Sequence, residues 1–165
     1  KQHDGFIGVE SRVGEGTKFT IYLPVSGEAE GELEEEVPEE VPHGRGETIL
    51  VVEDEPAVLF MIGEVLEGLG YRVLKVGSGR EALRVYEQHR EEIALVLTDL
   101  VMPEMGGMRL YQALRELNPE VKVVVMTGYS SEKEIKELLS QGIVTWVQKP
   151  IDITKLAKLM KEVLR

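Results

Sequence analysis

Five short apolar runs, near 48–53, 71–76, 93–98, 121–126 and 144–148, alternate with five segments of helical periodicity near 56–68, 79–89, 107–117, 131–140 and 152–164. Strands separated by helix-length amphipathic stretches lie side by side only if each helix crosses back over the sheet. Five such units in about 118 residues therefore predict an α/β fold with a doubly wound, five-stranded parallel sheet. The punctuation agrees. Pro56 suits a first helical turn, Gly70 follows the first helix as a stop, and Leu156, Leu159, Met160, Val163 and Leu164 line one face of the last helix. Val123 to Val125 are apolar on both strand faces, as in a strand covered by helices on either side.

Ligands of an open parallel sheet bind beyond the carboxyl ends of its strands. Four of the runs end on residues able to handle a phosphoryl group: VVEDEP at 51–56, LVLTDLVMP at 95–103, VVVMTG at 123–128 and WVQKP at 146–150. Glu53, Asp54, Asp99, Thr127 and Lys149 would bring three carboxylates, a hydroxyl and an ammonium to one cleft. Crowded carboxylates call for a cation, and magnesium, a hard ion that takes oxygen ligands and leaves room for water and phosphate, is the natural choice. An aspartate beside it can attack phosphorus and form an acyl phosphate. Thr127 and Lys149 can hold the phosphoryl oxygens. Taken singly, each residue has a structural use: an acidic helix start, a turn aspartate, a solvated lysine, a β-branched strand end.

The order acidic pair, Asp with Met-Pro and Gly, Thr with a small residue, and Lys-Pro resembles the response-regulator receiver family over residues 47–165. The resemblance implies a flavodoxin-like sheet of strand order 2-1-3-4-5. It implies Asp99 as phosphoacceptor, Asp54 as a direct magnesium ligand, Glu53 as a second or outer-sphere acidic ligand, and the backbone carbonyl of Val101 completing the metal site. Thr127 and Lys149 match the phosphate-binding pair. Trp146 stands where the family usually has a Tyr or Phe that changes rotamer with Thr127; packing between the last strand and its neighbouring helix is the other reading of that indole. Gly106 replaces a commoner Asp. The implied partner is the phosphohistidine domain of a histidine kinase or a histidine phosphotransfer protein.

FIGVESRVGEGTKFTIYLP, residues 6–24, reads as a β-hairpin, marginal alone, whose remainder lies upstream. It resembles the closing hairpin of the histidine-kinase ATP-binding domain, with the Gly-x-Gly-Thr turn at Gly14, Gly16 and Thr17. The expected organisation is a kinase-domain remnant at 1–25, an acidic linker at 26–46 and a receiver at 47–165, the C-terminal part of a hybrid sensor kinase. The start at Lys1, in mid-element, fits a fragment. No phosphoacceptor-histidine box or nucleotide motif is found in it, so its expected enzymology is confined to its own phosphoryl transfer and autodephosphorylation.

The net charge of -11 belongs mostly to the linker: residues 26–47 carry -8, whereas 1–25 balance and 48–165 carry -3. Glu-rich sequence without apolar periodicity reads as a solvated tether. The sequence has no cysteine and no long apolar run, so neither disulfides nor a membrane span are expected, and a cytoplasmic setting is, whatever membrane-bound sensor lies upstream. No nucleic-acid contact is expected. In the first helix Val58, Ile62, Val65, Leu66 and Leu69 share an arc, while Phe60 falls opposite, between Glu64 and Glu67. Phe60, with Leu59 at the stripe's edge, is a candidate docking point for the helices bearing the donor histidine; a singly exposed apolar side chain is the alternative. Two rival functions stand beside the receiver. One is a magnesium-dependent phosphohydrolase, disfavoured by Val101 where a second Asp would stand. The other is a receiver-like interaction module that takes no phosphate.

Overall fold

The computed structural model describes residues 5–14, 16–23, 41–128, 136 and 139–165. They fall into two compact units, Lys1–Glu39 and Glu40–Arg165.

In the first unit, β1 (Phe6–Arg12) pairs antiparallel with β2 (Gly16–Tyr22). The chain reverses through Gly14 and Gly16 at φ 84° and 103°, left-handed conformations that glycine adopts without Cβ strain. Side chains alternate between faces, so the paired residues Ile7 with Ile21 and Val9 with Phe19 form one apolar face, all four of them exposed within this unit.

The second unit carries the five expected strands: β3 (Thr48–Val52), β4 (Arg72–Val76), β5 (Ile93–Asp99), β6 (Val123–Thr127) and β7 (Thr145–Gln148). All pairings are parallel, in the order β4-β3-β5-β6-β7, which is 2-1-3-4-5 counted within the unit. Helices α1 (Pro56–Gly68), α2 (Gly79–His89), α3 (Gly107–Leu117) and α4 (Ile153–Val163) are the expected crossovers and tail. The helix expected at 131–140 lies largely outside the described residues, of which Lys136, Leu139 and Ser140 are helical.

Strand periodicity divides the core in two. Leu50, Val52, Val96, Val123 and Val125 meet Ala82 and Tyr86 of α2 and Leu110 and Leu114 of α3. Ile49, Val51, Leu95, Leu97, Val124 and Met126 meet Ile62 and Leu66 of α1 and Leu156 and Met160 of α4. Every residue of β3 and β6 is buried. Each such aliphatic side chain contributes about 1.5–3 kcal/mol, and a one-residue slip would turn both rows to the wrong helices.

Local signals set the helix ends. Ser78 accepts a hydrogen bond from the Glu81 amide at 3.3 Å while the Glu81 carboxylate accepts from the Gly77 amide at 3.2 Å, a reciprocal cap that starts α2. Pro56 opens α1, and Gly70 at φ 86° closes it, its amide donating to the Glu67 carbonyl. Asp152 caps α4 through the Lys155 amide at 3.0 Å.

Ahead of β3 the chain is already folded onto this unit. Gly44 and Gly46 donate to the carbonyls of Leu69 and Gly70 at 2.7 and 3.1 Å, and Val41 packs against the α1–α4 core. The Tyr71 ring lies so close to Gly44 that a Cβ there would clash with it. This strap sits at the amino ends of the strands, away from the strand ends that carry the candidate site.

Candidate functional site

Because all five strands run the same way, their carboxyl ends share one edge. Glu53 and Asp54 follow β3, Asp99 is the last residue of β5, Thr127 the last of β6, and Lys149 directly follows β7. The register holds them together: Asp99 aligns with Met126, Thr127 with Gln148, and the Lys149 amide donates to the Thr127 carbonyl at 2.8 Å. The apolar strands thereby carry polar termini to one place.

Lys149 links the carboxylates. Its Nζ lies 2.6 Å from Glu53 Oε2 and 3.2 Å from Asp99 Oδ2. Glu53 is 2% exposed and Asp99 9%, whereas Asp54 opens to solvent. Asp99 Oδ1 accepts a hydrogen bond from the Leu100 amide at 2.8 Å, which fixes the carboxylate plane, and Glu53 Oε1 accepts from the Glu55 amide at 3.4 Å. Burial works to lower the Lys149 pKa, but the hydrogen bond that Lys149 donates to Glu53 and the charge of Asp99 outweigh it, and the pKa stands above its ordinary value. Lys149 is thus an ammonium at neutral pH.

Glu53, Asp54 and Asp99 each offer an oxygen within 4.8 Å of the others. One ammonium among three carboxylates leaves the cluster two charges negative, and an all-oxygen set of this kind suits a hard divalent cation. Val101, two residues beyond Asp99, has an exposed side chain. Thr127 is 3% exposed, its hydroxyl held at the end of a strand buried along its whole length.

Trp146 is half-buried and in register with Val125, so it shares the α2–α3 side of the sheet with Thr127, two residues further along β6. Met102, Met105 and Met108 pack on that same core. On α1, Leu59 packs inward while Phe60 is 62% exposed, as its helical phase predicts. What the phase does not reveal is its neighbour. Lys75 Nζ lies 5.6 Å from the Phe60 ring centroid and 3.5 and 3.0 Å from Glu64 and Glu67, its stem crossing α1 where Gly63 has no side chain.

One further feature was invisible in the sequence. A groove of about 200 Å³ beside Asp54 runs between the residues opening α2 and the loop after β5, and Arg80 and Glu104 meet across it at 3.2 Å. No motif or spacing marks a pair 24 residues apart; only the juxtaposition of the start of α2 and the loop after β5 creates it.

A five-stranded parallel sheet with an aspartate, an acidic pair, a threonine and a lysine at adjacent strand ends defines an aspartate-centred receiver. The family profile of the response regulator receiver domain matches residues 49–161, and the chain belongs to that family. Among curated proteins it is 34% identical to the sensor kinase CckA of Brucella abortus (strain 2308) over 171 residues, covering 99% of this chain and 18% of that protein. It is 38% identical to the transcriptional regulatory protein ZraR of Escherichia coli (strain K12) over 117 residues, 70% of this chain and 26% of that protein. The chain thus spans only a minor part of these relatives. Among solved structures, a response regulator receiver domain protein from Clostridium thermocellum superposes with a TM-score of 0.68 at 27% identity, covering 71% of this chain and 93% of the other. The receiver domain of the hybrid histidine kinase CckA gives 0.61 at 34% identity, covering 72% and 99%. Among the described residues, no helix is long and apolar enough to cross a membrane.

Proposed function

We propose that residues 47–165 accept a phosphoryl group on Asp99 in two-component signalling. The observation that carries this reading is the Lys149 ammonium held between Glu53 and Asp99 at the shared edge of the strands. The Asp99 oxygen–phosphorus bond forms as the histidine nitrogen–phosphorus bond of the donor breaks, the electron pair returning to the imidazole. Glu53, Asp54, Asp99 and the Val101 carbonyl would hold magnesium, which when bound supplies positive charge against the oxygens of the incoming group. Lys149 leaves its carboxylates to pair with one phosphoryl oxygen, and Thr127 donates its hydroxyl to another. Thr127, drawn inward, opens space on the sheet face it shares with Trp146, biasing the surface around β7. Water later hydrolyses the acyl phosphate.

Leu59 and Phe60 would meet the helices of a histidine-kinase phosphohistidine domain or a histidine phosphotransfer protein. Residues 1–25 are assigned as the last hairpin of a kinase ATP-binding domain, supported by its apolar face and by the alignment with a sensor kinase along nearly the whole chain. The acidic stretch 26–46 is then an interdomain linker whose last residues are strapped to the receiver. The parent protein is a hybrid histidine kinase whose receiver works on the cytoplasmic side.

Intact mass after incubation with magnesium and acetyl phosphate tests the central claim. One magnesium-dependent phosphoryl addition is expected in the wild type and none in Asp99→Asn. Labelling that persists in Asp99→Asn refutes the assignment of Asp99. A wild type that takes no phosphoryl group from acetyl phosphate or from phosphorylated kinase refutes the function and leaves an interaction module.

A further inference from the structure

Arg80 occupies the first turn of α2, where the helix dipole disfavours a positive charge and acidic residues are the usual choice. Its side chain is directed elsewhere, to Glu104 at 3.2 Å in the loop between Asp99 and α3. Glu104 itself has φ 60°, a left-handed conformation that is costly for a residue with a Cβ and persists only when surrounding contacts hold it. Within the loop the Met105 amide closes over Glu104 onto the Pro103 carbonyl at 2.6 Å, and α2 supplies the contacts from outside the loop. A Cβ on Gly79 would stand 2.7 Å from the Met105 carbonyl oxygen and 2.8 Å from Met105 Cγ, so the start of α2 and the loop are in backbone-level contact beside the ion pair. Within the loop, the Gly107 amide returns to the Leu100 carbonyl at 3.0 Å, closing the turn around Val101 and Glu104.

We propose that Arg80 and Glu104 are positioning residues for the metal site: the ion pair clasps the loop that follows Asp99, holding Val101 in the conformation that binds the cation. This rests on the reading of Glu53, Asp54 and Asp99 as a magnesium site. Both side chains of the pair are largely exposed, 74% and 68%, so it contributes little to global stability. Its effect falls instead on the local population of the competent loop, which enters metal affinity directly.

The sign of the effect separates this role from simple electrostatics. Arg80 is a cation beside an acidic cluster, so by charge alone its removal strengthens magnesium binding. As a clasp, its removal weakens binding, by about two- to fivefold for an exposed pair of this geometry. Magnesium titration of the full chain by calorimetry, without any phosphodonor, reads this directly. Arg80→Ala is expected to weaken binding with an unchanged urea midpoint. The reversed pair Arg80→Glu with Glu104→Arg, which keeps the net charge, is expected to restore affinity to within about twofold of wild type. Arg80→Gln, which keeps the stem's packing, replaces Arg80→Ala if that variant folds poorly. Binding by Arg80→Ala or Arg80→Gln as tight as wild type or tighter overturns the clasp while leaving the magnesium site standing, and so does a reversed pair as weak as the single variant. A wild type that binds no magnesium overturns both.

Discussion

Replacing Lys149 with Met keeps most of the side-chain volume and removes only the charge that joins Glu53 to Asp99. With an effective dielectric constant of about 20, attractions at 2.6 and 3.2 Å correspond to ~6 and ~5 kcal/mol gross. Desolvation of the ammonium and of the buried Glu53 carboxylate offsets most of that. Breaking a fully buried pair costs about 3–5 kcal/mol because the remaining charge is stranded. Here Lys149 keeps 24% of its side chain exposed and the cleft opens to water at Asp54, so a loss of about 2–3 kcal/mol is expected. Trp146 is the chain's single tryptophan and lies in the receiver, so urea unfolding followed by its fluorescence reports this unit alone. In chelator the Lys149→Met midpoint should fall by about 1–2 M urea. Added magnesium should then stabilise the variant more than the wild type, since the cation replaces charge that only the variant has lost. An unchanged midpoint in chelator, or a magnesium increment no larger than that of wild type, would refute the electrostatic account of the cleft.

Lys149 also sets an alkaline limit. Its pKa is raised in the folded state above the ordinary 10.5, so its stabilising contribution is complete below 10.5 and is lost as pH climbs through the raised value; the stability gap between wild type and Lys149→Met should close only over that range. Gly107→Ala would place a Cβ 2.5 Å from the Asp99 carbonyl oxygen, so the backbone carrying Asp99 must shift. It should cost about 1–3 kcal/mol in urea unfolding and slow acetyl phosphate labelling, and normal labelling would show the close approach to be unimportant. Phe60→Ala should change the free energy of urea unfolding by no more than about 0.5 kcal/mol, given its exposure, while slowing transfer from the cognate phosphohistidine partner by about tenfold; an unchanged transfer rate rejects the docking role.

The strands, the limits of the four helices described and the carboxylate cluster at the strand ends were legible because each is written in local chemistry. The run Val123 to Val125 needs two covered faces, Pro56 and Gly70 bracket α1, and a carboxylate, hydroxyl or ammonium ends each apolar run that reaches the cleft. Phe60 was legible for a similar reason, since helical phase alone puts it outside. The strap at 41–47 was not, because its glycines and Val41 look like the tail of the acidic tether until Leu69, Gly70 and Tyr71 are placed beside them.

By itself, then, the sequence determined which elements form, which faces they bury and which polar residues stand at the strand ends, since periodicity, capping and composition act over a few neighbouring residues. Tertiary structure alone decided how those ends are wired. The bridge from Lys149 to Glu53 joins residues 96 apart, the support of Phe60 by Lys75 crosses Gly63, and the Arg80–Glu104 ion pair joins the first turn of α2 to the loop after β5. Such contacts depend on ångström-scale distances set by strand register and helix packing, and no short stretch of residues encodes them.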